Sequence, residues 1–260
     1  MRQWRRLVGM KQILVMMAAV VLVVGCSKDT SELPQAAEAE PQVASKPTPV
    51  SPVNDKLIAD AIVEKAVRIS LNKPEGELTE ADLVKIQLLP LGLTKITDKG
   101  LKEVAKLQNL SHLVMHGTPI TGAGLKELAK LEKLTSLMLQ DTKITDAGLK
   151  DLAKLEKLIE LDLSRTKITD EGLKEVAKLQ NLTHLDLQNT KITDAGLKEL
   201  AKLQKLKFLG LHFTEITDEG YKELTKLPNL LGLGLVGSKG TRVGVLRLRK
   251  ALPNTNISMP

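Results

Sequence analysis

Residues Leu182–Lys205 read LTHLDLQNTKITDAGLKELAKLQK, and the stretch before them, Leu158–Asn181, reads LIELDLSRTKITDEGLKEVAKLQN. Both are 24 residues long and are identical at 17 positions. Carried outward, the period holds for seven units that begin at Ile86, Leu110, Leu134, Leu158, Leu182, Leu206 and Leu230. Written generally, each unit is LxxLxLxxTxITDxGLKxLAKLxx. Copies in register at a short fixed period mark a repeat architecture. One unit cannot bury its own apolar face, so neighbours must stack to close a core.

Each unit has two halves of different period. Leu182, Leu185 and Leu187 are first three apart and then alternate, which suits a short strand with one buried face. Thr193-Asp194 can accept from the free N–H groups of a helix start. Leu197, Leu200, Ala201 and Leu203 follow at helical spacing, with Lys198, Glu199 and Lys202 on the opposite face. Stacked units lay their strands into a parallel sheet at about 4.8 Å spacing. A helix is about 10 Å across, so the stack should curve with its strands on the inside.

The LxxLxLxxTxIT core resembles the leucine-rich-repeat family, over Ile86 to about Ile257. The helix-bearing 24-residue form looks most like ribonuclease-inhibitor-like repeats. The resemblance implies an α/β solenoid: a right-handed horseshoe with a parallel β-sheet on the concave face and short helices on the convex face. Many relatives carry Asn or Cys at the ninth position of the unit, bonding along the turn ladder. This chain has Thr118, Thr142, Thr166, Thr190 and Thr214 there, and a hydroxyl both donates and accepts, so a threonine ladder is expected in that role.

The ends depart from the pattern, as solenoid ends do. Lys56–Leu71 places Leu57, Ile58, Ala61, Ile62, Ala66 and Ile69 as an amphipathic helix; Lys73-Pro74-Glu75-Gly76 breaks it. Thr79-Glu80-Ala81-Asp82 resembles a capping sequence before a second short helix. Residues 55–85 thus read as a helical N-terminal cap, and 86–257 as the repeat domain. Its last unit is degenerate: Gly240 and Arg242 stand where Ile and Asp are expected, Arg247, Arg249 and Lys250 make the closing helix basic, and Pro253 stops it.

Before the cap, Arg2, Arg5, Arg6 and Lys11 precede an uncharged run, Ile13–Val24, and then Gly25-Cys26. A basic start and an apolar core shorter than the about 20 residues of a membrane span read as a secretory signal over residues 1–25. Leu22-Val23-Val24-Gly25-Cys26 resembles the lipobox of bacterial lipoproteins, which implies lipid attachment at Cys26. Cys26 is the sole cysteine, so no internal disulfide can form. Residues 26–54, rich in Pro, Ala, Ser and Glu and lacking aromatics, read as a disordered tether. The expected location is a bacterial envelope membrane, facing the periplasm or the cell surface, with Ser27 favouring the outer membrane. The net charge of +7 falls to +3 without the four basic residues of the signal, and Lys alternates with Glu. That is no nucleic-acid signature.

Little chemistry stands out. The third, fifth, seventh and eighth positions vary most among the units and should face the concave surface. His112, His116, His184 and His212 all lie there. His112 and His116 are about 13 Å apart along one strand, too far to share a zinc ion with bonds of about 2 Å, so no metal is expected. Glu160, Asp162 and Asp186 form an acidic cluster with Ser164, Arg165 and Gln188 nearby. Two carboxylates on neighbouring strands could raise each other's pKa, but an open wet face should weaken the coupling. No nucleophile with a base beside it and no phosphate loop occurs, so no catalytic residue and no cofactor is expected. Phe208, Phe213 and Tyr221 are the aromatics beyond Trp4, and all belong to the unit starting at Leu206. Tyr221 replaces a core Leu. Phe208 and Phe213 occupy variable outward positions, either as interface anchors or as cover for the end of the stack. Asn109 and Asn181, both in Asn-x-Ser/Thr sequons, fall at the last position of a unit, which the scaffold explains; Asn256 is the third sequon.

The reading is a lipid-anchored, monomeric scaffold that binds a protein on its concave face, through Phe208, Phe213, His184, His212, Asp162, Asp186, Glu160, Arg165 and Gln188. A structural envelope protein without a single ligand is the alternative. A weak enzyme or metal carrier would rest on the histidines and paired carboxylates alone.

Overall fold

The computed structural model describes residues 56–258. The expected signal, Cys26 and the tether lie outside the described residues. Every unit gives one short strand at its third to fifth positions: β1 Leu88–Pro90, β2 His112–Val114, β3 Ser136–Met138, β4 Glu160–Asp162, β5 His184–Asp186, β6 Phe208–Gly210 and β7 Gly232–Gly234. They pair in chain order, all parallel, and each register is offset by one whole unit (Leu113↔Leu137, Leu161↔Leu185, Leu185↔Leu209). An eighth strand, β8 Asn256–Ile257, closes the sheet beside β7. The sequence reading did not foresee it, because the closing helix ends and Pro253 intervenes. Counted from Leu230, however, Asn256 and Ile257 hold the third and fourth positions of a further unit, and Ile257 is buried.

The helices are α1 Ala61–Leu71 and α2 Glu80–Leu83 before the sheet, then one per unit: α3 Leu101–Val104, α4 Gly122–Leu128, α5 Asp146–Leu152, α6 Asp170–Val176, α7 Asp194–Leu200, α8 Tyr221–Leu224 and α9 Arg242–Ala251. Between sheet and helices runs one continuous core. In the unit of β5 it consists of Leu182, Leu185, Leu187, Ile192, Leu197, Leu200 and Leu203, none more than 2% exposed. A buried Leu is worth about 1.5–3 kcal/mol over an exposed one, and seven recur per unit. By contrast, the helices' outward Lys residues pair with an acid three residues earlier, as in Glu103–Lys106, Glu127–Lys130, Asp151–Lys154, Glu175–Lys178, Glu199–Lys202 and Glu223–Lys226. Exposed pairs of this kind contribute about 0–1 kcal/mol. The leucines hold the stack, and the pairs mainly neutralise its outer surface.

Two polar ladders finish the units. The ninth-position threonines are buried, yet each donates to a carbonyl of its own unit, as in Thr142 Oγ1 to Leu139 O at 2.7 Å and Thr190 Oγ1 to Leu187 O at 2.6 Å. The expectation of a ladder running from unit to unit is therefore corrected: the short Thr side chain reaches only back across its own turn. The inter-unit link is made elsewhere. Asp170 accepts from Thr193 N at 2.8 Å and Thr193 Oγ1 at 2.6 Å, and Thr193 in turn caps α7 by accepting from Ala195 N. Asp98–Thr121, Asp146–Thr169, Asp194–Thr217 and Asp218–Thr241 repeat the pattern. It breaks once. Gly122 stands where the Asp belongs, Thr145 has no side-chain cap bond, and the backbones of Gly122 and Gly148 close up.

At the N-terminal edge α1 packs on β1, with Ser70 Oγ donating to Leu88 O. It starts at Ala61, after Asp60 accepts from Ile62 and Val63 N, not at Lys56 as the periodicity suggests. Val63, Ala66 and Val67 carry its buried face, whereas Ile69 is 56% exposed. Thr79 and Asp82 form the capping box of α2, and Lys73 beside Asp82 holds that carboxyl well below its usual range. Near the other end, the Tyr221 ring fills the place that an Ile at position 240 would take, so only Gly240 fits; its hydroxyl lies 3.1 Å from Ser238 Oγ.

Candidate binding face

The pleat sends the fourth and sixth residues of each unit into the core and leaves the third and fifth on the sheet face opposite the helices. Read across β4, β5 and β6, the third position runs Glu160, His184, Phe208 and the fifth runs Asp162, Asp186, Gly210. Ser164, Gln188 and His212, then Arg165, Asn189 and Phe213, follow in the turns. Register thus brings every residue named from the sequence onto one side of three adjacent units. Before them the same face is apolar at Pro90, Val114 and Met138, and after them it is glycine at Gly232 and Gly234.

The glycines set the shape of the C-terminal part. A Cβ on Gly232 would come 2.8 Å from Phe208 Cδ1, one on Gly234 2.7 Å from His212 Cε1, and one on Gly210 2.8 Å from Asp186 Cγ. The larger side chains lie flat over the bare backbone of the next unit, and all three glycines are buried beneath them. Phe208 also stacks on His184, with centroids 4.7 Å apart and planes 20° from parallel. His184 Nδ1 is 2.7 Å from Thr183 Oγ1, and His212 Nδ1 accepts from Val236 N at 3.0 Å. Burial pushes both imidazole pKa values down.

Asp162 and Asp186 face each other on β4 and β5. Ser164 donates to Asp162 from both its N–H and its hydroxyl, and Gln188 N donates to Asp186. Desolvation raises both carboxyls; the Asp162 charge adds to it and pushes Asp186 up to about 7. The expected weak coupling on a wet face is therefore corrected. Side chains packed flat against the sheet exclude enough water to make one ionised carboxylate here costly and two costlier. Among the described residues no group of three or more His, Cys, Asp or Glu is arranged to hold a metal ion.

Phe213 is the feature sequence reasoning only half identified. It is 51% exposed and its backbone is left-handed, at φ 54°. Every unit from β1 to β7 has positive φ at this eighth position: Leu93, Gly117, Asp141, Arg165, Asn189, Phe213 and Gly237. The Gly, Asp and Asn among them were the available signal, because these residues tolerate that region. The sequons prove structural: Asn109 Nδ2 donates to Val84 O of the N-terminal cap and Asn181 Nδ2 to Glu156 O of the preceding unit, both at 2.8 Å.

Residues 130–153 and 156–202 match family models for leucine-rich repeats, the first a single repeat and the second a two-copy form. Among solved structures the chain is similar to an internalin C2 from Listeria monocytogenes, at 27% identity and a TM-score of 0.61. The similarity covers 78% of this chain and 95% of that one. An internalin from the same organism matches at 22% identity and a TM-score of 0.55, over 78% of this chain and 69% of that one. No curated protein matches. The repeats are leucine-rich repeats and the fold is their α/β solenoid.

Proposed function

We propose that this solenoid is a protein-binding scaffold whose partner sits on the sheet face around His184, Phe208, His212 and Phe213, with Glu160, Asp162, Arg165, Asp186 and Gln188 setting the polar surround. Leucine-rich-repeat proteins commonly mediate protein–protein interaction. The observation that carries the placement is Phe213. A left-handed backbone disfavours a residue with a Cβ by about 1–2 kcal/mol, and four other units use Asn189, Asp141, Gly117 or Gly237 at this position, against Leu93 and Arg165 in two. A bulky ring held there, half in solvent, has its use outside the fold, and buried aromatics are frequent anchors of interfaces.

The proposal includes the location. A lipid on Cys26 would hold the chain at a bacterial envelope membrane, as a monomer, and the repeats would be of the ribonuclease-inhibitor-like, helix-bearing kind. The lipobox-like residues before Cys26 and the α-helix in each unit support these readings. Metabolic labelling with an alkyne fatty acid, lost in Cys26→Ser, tests the anchor. Affinity capture from detergent-solubilised envelope tests the face. One partner retained by the native chain and lost by Phe213→Asn and by Phe208→Ser, with unchanged melting temperature, is the expected result. Capture indifferent to both variants would favour a structural envelope role without a single ligand.

A further inference from the structure

Among the described residues the lysines that close each helical turn of the middle units are matched by a carboxylate three residues earlier, as in Asp151–Lys154 and Glu175–Lys178. In the turns after the strands Lys239 lies 3.9 Å from Glu215, and the remaining turn cations have no such partner. Lys95, Lys143 and Lys167 hold the tenth position of their units and are exposed, and exposed Arg165 lies in the turn between β4 and α6. Among the described residues none of these four makes an ion pair or a side-chain hydrogen bond. They line one groove of about 640 Å³ together with Leu93 and Asp141. Its wall thus carries four cations against one carboxylate, and Leu93 is 67% exposed on a left-handed backbone at φ 59°.

We propose that this groove is a second interaction site, sharing only Arg165 with the polar surround of the aromatic face, and that it takes an extended acidic segment of a partner polypeptide. Lys143 and Lys167 are one unit apart, about 5 Å, and Lys95 stands two units before Lys143, about 10 Å, while same-side residues of an extended peptide recur at about 7 Å, a mismatch that flexible lysine stems absorb. The Arg165 fork offers a carboxylate two parallel bonds. Exposed Leu93 beside the cations gives an apolar side chain between the acids of a peptide a place to pack.

The test uses the full chain and a fluorescein-labelled heptapeptide of alternating Glu and Leu, read by anisotropy. Glu215 occupies the tenth position in its own unit, so the scaffold tolerates Lys143→Glu and Lys167→Glu; Asn189 likewise licenses Leu93→Asn. The peptide is expected to bind, to weaken as salt shortens the screening length to about 8 Å, and to weaken about tenfold or more in the Lys143→Glu/Lys167→Glu double variant. Phe213→Asn and the helix-face control Lys154→Glu/Lys178→Glu are expected to leave it unchanged. Leu93→Asn is expected to weaken the Leu-bearing peptide but not its Ser counterpart. Absence of binding, or equal loss in the helix-face control, overturns the site. Tighter binding of phosphatidylglycerol vesicles or of a thymidine oligonucleotide overturns the polypeptide occupant. Loss of envelope capture with Phe213→Asn while peptide binding persists would separate this site from the aromatic face.

Discussion

Gly172 is a helix-interior glycine whose replacement by Ala is expected to destabilise the protein, against the usual sign. Gly to Ala within a helix ordinarily gains about 1 kcal/mol. Here the position of the added Cβ is already occupied by Asp146 Oδ1. That carboxylate accepts from Thr169 N at 2.8 Å and from Thr169 Oγ1 at 2.7 Å, and Thr169 caps α6. Displacing it loses two bonds to a charged acceptor, about 1.5 kcal/mol each at the lower end suited to a part-exposed group. The loss of about 3 kcal/mol exceeds the helix gain, leaving about 2 kcal/mol of net destabilisation. For a domain of this size that lowers Tm by about 4–8 °C. The double-mutant cycle sharpens the test. Asp146→Ala alone should cost about 3 kcal/mol, and adding Gly172→Ala to it should recover up to about 1 kcal/mol, because the carboxylate is gone and only the terminal Leu149 Cδ1 methyl must give way. Urea titrations of the four proteins supply the cycle. A Gly172→Ala chain at least as stable as the native one, or strictly additive single changes, would refute the occupancy argument.

Three further outcomes are expected. Asp186 is raised to about 7 by burial and by Asp162, so between its unfolded pKa of about 4 and pH 7 the folded state binds the extra proton and stability falls as pH rises; Tm scans from acid to pH 8 should show that fall, and Asp186→Asn should flatten it. Phe213→Asn should leave Tm equal or higher, since Asn accepts the left-handed backbone, while abolishing partner capture; a sharp drop in Tm would make the ring structural. Tyr221→Leu should destabilise by about 1–2 kcal/mol through the space left beside Gly240, and Tyr221→Leu/Gly240→Ile, which restores the pairing of the other units, should recover most of that in a denaturant melt.

The fold was legible because the apolar positions of Leu182–Lys205 recur without a gap, and a solenoid's structure is its period. What the single unit did not disclose depends on the offset between units. The Asp170–Thr193 link joins residues 23 positions apart and looks, within one unit, like a plain capping pair. Thr190 bonds inside its unit because its side chain is too short to leave it. The raised carboxyls of Asp162 and Asp186 needed the register, and so did their desolvation, which comes from how flat the face packs. For the face itself, the sequence supplied the residue list, and the geometry supplied the reason these residues act together.

That reason lies in paired departures from the repeat. Asp186 lies over Gly210, Phe208 over Gly232 and Phe213 over Gly237, each pair one unit apart at the same position, and His212 lies over Gly234, two positions earlier in the next unit. The same rule holds in the core, where the larger Tyr221 meets the smaller Gly240. Drift of one exposed residue would not require a glycine in the next unit, since exposed substitutions are commonly within about 0.5 kcal/mol of neutral. A glycine beneath each large side chain means that the shelf from β5 to β7 is assembled as a set: restoring a side chain at Gly232 would lift Phe208 off the sheet and break its stack on His184. Gly232→Ala is therefore the change that perturbs the aromatic face without touching any residue expected to contact the partner, and the face reading requires it to weaken capture as Phe208→Ser does.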